Sequence, residues 1–287
     1  MAPDSADRSG VDGKFELDRV IVFPRNSEFE KARSLLLRLT LPFNVISPEP
    51  GYSRVGAPAL VCDSRGTTAV LTDHTVICSG YTDYLEPPTE APGQPAESFA
   101  EDVVGEAVIM FYAPCMADEQ RVRLVAHLSG NVAAALPYLN GAMPQACFNA
   151  GPCTLSFMDG ARMVTIYPQR ISIGKADGVV DSWRTLEKIR LLVNRTWARR
   201  ASIVPVYERR SKPPALEIYK RLPRTNCREC GEQTCMAFAV SLWQGQAVPT
   251  SCRPAFEDEQ YIALRAALIE ICRGVGVDVT GAMHAEP

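Results

Sequence analysis

The sequence predicts an α/β (α+β) protein: two small open-sheet α/β units followed by a small helical domain carrying four cysteines. Three observations lead there. Short β-rich apolar runs alternate with amphipathic helical patterns through residues 18–85 and again through residues 104–210. Between them, residues 86–101 (EPPTEAPGQPAESFAE) hold four prolines and four acids with almost no aliphatic side chain, so residues 86–103 read as a linker. Beyond residue 211, cysteine, glycine and proline crowd a stretch that ends in an amphipathic helix.

The elements follow in order. Residues 1–17 are polar and lack a hydrophobic core, which predicts a flexible leader and no secretory signal. RVIVF at 19–23 reads as a buried strand. Asn26 or Ser27 can cap a helix over 28–40, with Phe29, Ala32, Leu35, Leu36 and Leu39 on one face. Strands are expected at 43–47, 57–63 and 67–79, the last two joined by a turn at 63–66. In the second unit, 107–113 (AVIMFYA) is a strand, and 118–128 and 131–139 are expected helices. A hairpin turns at Asp159-Gly160 between strands at 153–158 and 163–173. Asp181 or Ser182 then caps a long helix reaching Arg200, with Trp183, Leu186, Ile189, Val193 and Trp197 on one side.

Composition bounds the function. The chain has 287 residues, of which 46% are hydrophobic and 22% charged, with a net charge of −3. That excludes a mostly disordered chain and disfavours a protein devoted to wrapping nucleic acid. No apolar run approaches the roughly 20 residues of a membrane span, and a cytoplasmic location is the expectation. Charge is uneven, however. Residues 190–224 hold ten Lys/Arg against two acids, either a solvated connector or a docking surface for an acidic partner.

Ten cysteines in such a chain read as buried thiols or metal ligands rather than disulfides. Spacing decides between those two. Near the C-terminus, LPRTNCRECGEQTCMAFA and a later TSCRP give Cys227-x2-Cys230-x4-Cys235-x16-Cys252. Three close thiolates and one distant one can converge on a cuboidal cluster or a tetrahedral metal. Gly231 permits a tight bend between the second and third, and Cys235 opens a helix over 236–243. A structural zinc site competes, but zinc ribbons show two C-x2-C knuckles and this chain has one.

The same segment resembles the four-cysteine [4Fe-4S] domain of the corrinoid iron–sulfur protein large subunit of acetyl-CoA metabolism. It is also similar to the B-type subunit of ion-translocating ferredoxin-linked complexes. Leu222, Pro223, Thr225, Asn226, Cys227, Cys230, Gly231, Thr234, Cys235, Ala237, Phe238, Ala239 and Cys252 carry the resemblance, over about 35 residues. It implies that Cys227, Cys230, Cys235 and Cys252 bind one [4Fe-4S] cluster. The chain has neither a cobalamin-binding Asp-x-His-x-x-Gly signature nor the C-x2-C-x2-C-x3-C-P runs of two-cluster ferredoxins.

Other chemistry is sparse. Three histidines (His74, His127, His284) have no nucleophile or metal partner in sequence, and no P-loop or G-x-G-x-x-G occurs. Cys115, Cys147 and Cys153 lie near Gly and Pro loops and are candidates for a second site, whereas Cys62, Cys78 and Cys272 read as core. The expected function is single-electron transfer to or from a partner metalloenzyme or acidic redox protein docking on residues 190–224. Two alternatives stand beside it: a metallocluster assembly or activation factor, and an enzyme with its active site at Cys115, Cys147 and Cys153.

Overall fold

The computed structural model describes residues 18–84, 95–116, 118–209, 213–275, 277 and 279. The expected leader and residues 86–94 of the expected linker lie outside them.

The N-terminal region runs β1 (Arg19–Val22), α1 (Asn26–Arg38), β2 (Phe43–Ile46), β3 (Ala59–Cys62), α2 (Ser64–Thr72) and β4 (Gly80–Asp83). Its sheet has the order β2-β3-β1-β4 with every pair antiparallel. This is the connectivity of the split βαβ, or ferredoxin-like, motif. Alternation decides which side chain faces where. Ile21, Phe23, Leu60 and Cys62 pack under α1 and α2 with Phe29, Leu36 and Val70. Val20, Val22, Ala59 and Val61 point the other way, into the main core. Covering both faces explains why β1 and β3 read as unbroken apolar runs.

Two expectations change here. Residues 67–79 do not form a strand, because α2 occupies 64–72. Its β-branched threonines favour a strand, but Asp63 caps the helix by accepting the Gly66 N–H at 2.8 Å, and Val70 is buried against the sheet. Helix α1 begins at Asn26 with Arg25 at its N-cap and ends at Arg38, short of the expected Thr40, which turns the chain at φ 53°.

The second region comprises β5 (Ala107–Cys115), β6 (Asp118–Leu128), α3 (Leu136–Ala142), β7 (Cys147–Asn149), β8 (Thr154–Asp159), β9 (Arg162–Tyr167), β10 (Arg170–Ala176) and α4 (Val179–Ala198). The six strands form an antiparallel sheet in the order β5-β6-β10-β9-β8-β7. The helix expected at 118–128 is therefore a strand. Its Val122, Leu124, Ala126 and Leu128 are buried at every second position, the period of a half-covered strand. The expected helix at 131–139 is a 3-10 turn (Ala133–Ala135) that runs into α3, three residues further on than expected, and the single strand at 163–173 is two strands, β9 and β10. Helix α4 starts after Gly178, not at a capping Asp181 or Ser182, and both of those lie buried in its first turn.

Val20, Val22 and Val61 share one core with Leu124, Ile166, Ile173 and the α4 residues Trp183, Leu186, Ile189 and Val193. The two sheets meet where Ser79 donates its hydroxyl to the Ile109 carbonyl at 2.5 Å and accepts the Tyr112 N–H at 2.9 Å. Gly80, at φ 147°, is required there: a Cβ would sit 1.8 Å from the Tyr112 carbonyl oxygen.

Helix α4 also buries charge. Arg190 is fully enclosed, with Nε and Nη2 donating to Glu187 at 2.9 and 2.8 Å and Nη1 to Asp102 at 2.9 Å. Asn194 adds a 2.8 Å bond to Asp102 and receives the Val103 N–H, so residues 102–105 are strapped onto the helix.

The C-terminal region is helical: α5 (Ala215–Tyr219), α6 (Cys235–Trp243), α7 (Arg253–Glu257) and α8 (Ile262–Val275). Its core of Ile218, Leu222, Phe238, Leu242, Leu268 and Cys272 is separate from that of the sheets. The last helix starts at Ile262 after a 3-10 turn that Asp258 caps. Among the described residues no helix is long and apolar enough to cross a membrane.

Candidate metal centre

Ile218 and Leu222, both fully buried, anchor the start of the cysteine loop. Residues 223–234 then run without regular structure, and Arg224, Asn226, Arg228 and Gly231 adopt left-handed φ values of 61°, 50°, 67° and 88°. Side-chain-bearing residues pay about 1–2 kcal/mol for this conformation, and Asn tolerates it best. Three such residues within five positions make a strained coil of the kind that persists at functional sites.

The coil closes on the helix behind it. The Asn226 N–H donates to the Cys235 sulfur at 3.4 Å, and the Cys235 N–H donates back to the Asn226 side-chain carbonyl at 2.8 Å. Thr234 caps α6 by accepting the Ala237 N–H at 3.0 Å, which places Cys235 at the first helical position. Cys252, seventeen residues on, lies between a 3-10 turn (Pro249–Ser251) and α7, and its carbonyl accepts the Ala255 N–H.

Cys235 and Cys252 share one core, and Cys230 packs against it. Burial pushes the Cys252 thiol up to about 11; the Ala255 N–H opposes this, and Cys235, Cys230 and Cys227 add to the rise. Exposure is graded: Cys227 is exposed, Cys230 half-buried, and Cys235 and Cys252 are buried at 7% and 5%. Among the described residues no three His, Cys, Asp or Glu side chains are gathered to hold a single metal ion. The donor set here is sulfur alone. Glu232 is engaged by the Ser241 hydroxyl at 2.6 Å, and an amide N–H already points at one sulfur. Thiolates with N–H···S support are the donors that iron–sulfur clusters use, so these residues fit the group.

The other candidate cysteines do not converge. Cys115 ends β5 and Cys147 opens β7, the two edges of the six-stranded sheet, with four strands between them. That is about five strand spacings of ~4.8 Å along the sheet. Cys153 precedes β8, its thiol 4.0 Å from the Ala133 carbonyl. The expected second site at Cys115, Cys147 and Cys153 is overturned by this sheet order. Cys62 and Cys272 are buried as expected; Cys78 is half-buried and lies in the segment before β4, not in a strand. His127 lies on β6 rather than on a helix.

The basic stretch is less available than its composition implies. Arg190 is internal, Arg195 and Arg200 pair with Glu97 and Glu101, and Lys220 and Arg221 pair with Glu217. Arg199, Arg209 and Arg224 are exposed, and Arg210 lies outside the described residues. What sequence reasoning missed at the centre is the positioning role of Asn226. Its place directly before Cys227, as a residue type that accepts positive φ, was the available signal.

Residues 222–254 match the protein-family model described as "Putative Fe-S cluster". In the same region the chain is 49% identical over 53 residues to the acetyl-CoA decarbonylase/synthase complex subunit gamma 2 of Methanosarcina thermophila, 18% of this chain and 11% of that one. It is 54% identical over 52 residues to the corrinoid/iron-sulfur protein large subunit of Moorella thermoacetica, with the same coverage. The gamma subunit from Archaeoglobus fulgidus is 47% identical over 45 residues, 16% of this chain and 10% of that one. The chain thus spans about a tenth of the length of the curated relatives it matches. No solved structure matches the chain. The C-terminal segment is an iron–sulfur-type cysteine domain, in agreement with the resemblance drawn from its motif.

Proposed function

We propose that Cys227, Cys230, Cys235 and Cys252 hold one [4Fe-4S] cluster and that the protein passes single electrons to or from a partner metalloenzyme or redox protein. The observation that supports this reading is the shared core of Cys235 and Cys252, with Cys230 packed against it, although sixteen residues separate Cys235 from Cys252. A cluster bound there would supply one-electron chemistry. The protein's own residues supply the rest. Asn226 fixes the Cys235 sulfur, burial of Cys235 and Cys252 keeps water from one side, and exposed Cys227 leaves the other side open to a partner. Subunits of multi-component complexes among the relatives support a macromolecular partner.

Anaerobically purified protein should contain four irons and four sulfides per chain and become EPR-active on reduction. Cys230→Ala should lose the signal, whereas Cys272→Ala should keep it. Stoichiometric zinc in place of iron would sink the reading.

Among the described residues, the docking face on residues 190–224 narrows to the exposed cations Arg199, Arg209 and Arg224. Encounter through them is electrostatic and weakens as salt screens it. With an acidic ferredoxin as probe, Arg209→Glu/Arg224→Glu should slow electron exchange without changing iron content. Salt-independent exchange would reject the docking face while leaving the cluster reading intact.

A further inference from the structure

We propose that the cleft between the β1–α1 corner and the β5–β6 pair binds an amphipathic anion: an aromatic or acyl body bearing one carboxylate, sulfonate or phosphate. The cleft measures about 680 Å³, within the range of small-molecule sites. It shares no residue with the cysteine centre.

Its lining divides by chemistry. Pro24, Ala57, Pro58 and the exposed Met110 line it above buried Phe23, Val55, Ile109 and Leu128, a surface suited to an apolar body. Arg25, Arg54 and His127 also line it and are exposed. Neither arginine is in an ion pair among the described residues, although Arg162, Arg190, Arg195 and Arg200 all are. Glu106 is the single acid on the wall. In a chain of net charge −3, two arginines outside any ion pair at this cleft, with Glu28 of the first turn of α1 acting on Arg25 only electrostatically, mark a place for a ligand's negative charge.

The helix geometry adds to the same field. Arg25 is the N-cap of the 13-residue α1 and makes no side-chain capping bond, so the positive end of the helix meets the cleft at Arg25 and Asn26. An anion seated there would meet two guanidinium groups and the helix end together, while its apolar part displaced water from the floor. The ligand class follows from that pairing of charge with apolar surface. A free phosphate would use only half of it.

The test uses the intact protein and 8-anilinonaphthalene-1-sulfonate, whose rings and sulfonate match the two halves of the site. Fluorescence titration should saturate at one probe per chain. Arg25→Ala and Arg54→Ala should each weaken binding by about tenfold or more, as loss of a charge-assisted bond implies. The charge-keeping pair Arg25→Lys/Arg54→Lys should retain most of it. Ala57→Trp, which fills the cleft from its wall, should block it. N-phenyl-1-naphthylamine, lacking the sulfonate, should bind weakly and equally to wild type and the arginine variants. Both arginines are exposed, so matching urea midpoints are expected for these variants. Non-saturating fluorescence, affinity unchanged in both alanine variants, or equal affinity for the uncharged probe would overturn the proposal.

Discussion

Asn226 and Cys235 hold each other reciprocally: the Asn226 amide donates to the Cys235 sulfur, and the Cys235 amide donates to the Asn226 side chain. One residue thereby ties the strained loop to the start of α6. Two roles are combined at Asn226, since it accepts the left-handed φ of 50° and supplies the acceptor. They are separable. Asn226→Gly keeps the backbone freedom and loses the acceptor, whereas Asn226→Ala loses both. The iron and sulfide remaining after anaerobic gel filtration should fall in the order wild type, Asn226→Gly, Asn226→Ala. Equal retention in all three would mean that the clasp does not matter for holding the cluster.

Buried thiols should be silent to alkylation. Burial, helped by the neighbouring Asp63 charge, pushes Cys62 up to about 12, and burial alone does the same for Cys272. Both therefore stay protonated at pH 8, and the thiolate is the reactive form. After iron removal by a chelator, mass spectrometry of native protein treated with iodoacetamide should find exposed Cys227 modified. Cys62 and Cys272 should react only in denaturant.

The Arg190 network should be costly to break and poor to leave half-filled. Arg190→Met removes the cation and strands Glu187 and Asp102, whose side chains are 8% and 22% exposed. Loss of one partner from a buried ion cluster costs about 3–5 kcal/mol, discounted here by the part-exposed Asp102. Urea unfolding should show a correspondingly lower midpoint. Adding Glu187→Met should recover part of the loss, because the second unpaired charge is then gone.

Asp181 should make stability pH-dependent on the acid side. Burial opposes its ionisation, but hydrogen bonds from Arg162, Arg184 and the Asp177 N–H outweigh this and hold its carboxyl below the usual range. A depressed folded-state pKa adds stability above the unfolded-state value of about 4, and that stability is lost as pH falls through the folded-state value. Urea midpoints should therefore be flat near neutrality and fall below about pH 4. Asp181→Asn should start lower at pH 7 and lose less on acidification. A parallel pH profile would assign the acid sensitivity to other carboxylates.

Much of the fold was legible because its signals are local. The apolar run at 19–23 holds a strand, the hairpin turns at Gly160-Ala161, one residue beyond the expected Asp159-Gly160, and the three- and four-residue spacing from Trp183 to Val193 is a buried helix face. The strict alternation of Val122, Leu124, Ala126 and Leu128 was equally local, but the helix formers Glu119, Gln120 and Arg121 just before it, with Leu124 and Ala126 themselves, masked it. Residues 64–72 differ in kind. Their threonines favour a strand, and burial of Val70 beneath the sheet overrides that preference.

Ten cysteines are chemically alike, and the sequence by itself determined only which of them carry ligand spacing. Four thiols, a glycine at the bend and a capping threonine before Cys235 were fixed by order along the chain, since a short loop can place neighbours in only a few ways. Tertiary structure decided the distances that span many residues. Packing of α7 and α8 with α5 and α6 brought Cys252 to the loop, while strand order sent Cys115 and Cys147 to opposite edges of one sheet. It also paired most of the basic stretch internally and left Arg25 and Arg54 facing a cleft, because burial and pairing depend on elements far apart in sequence.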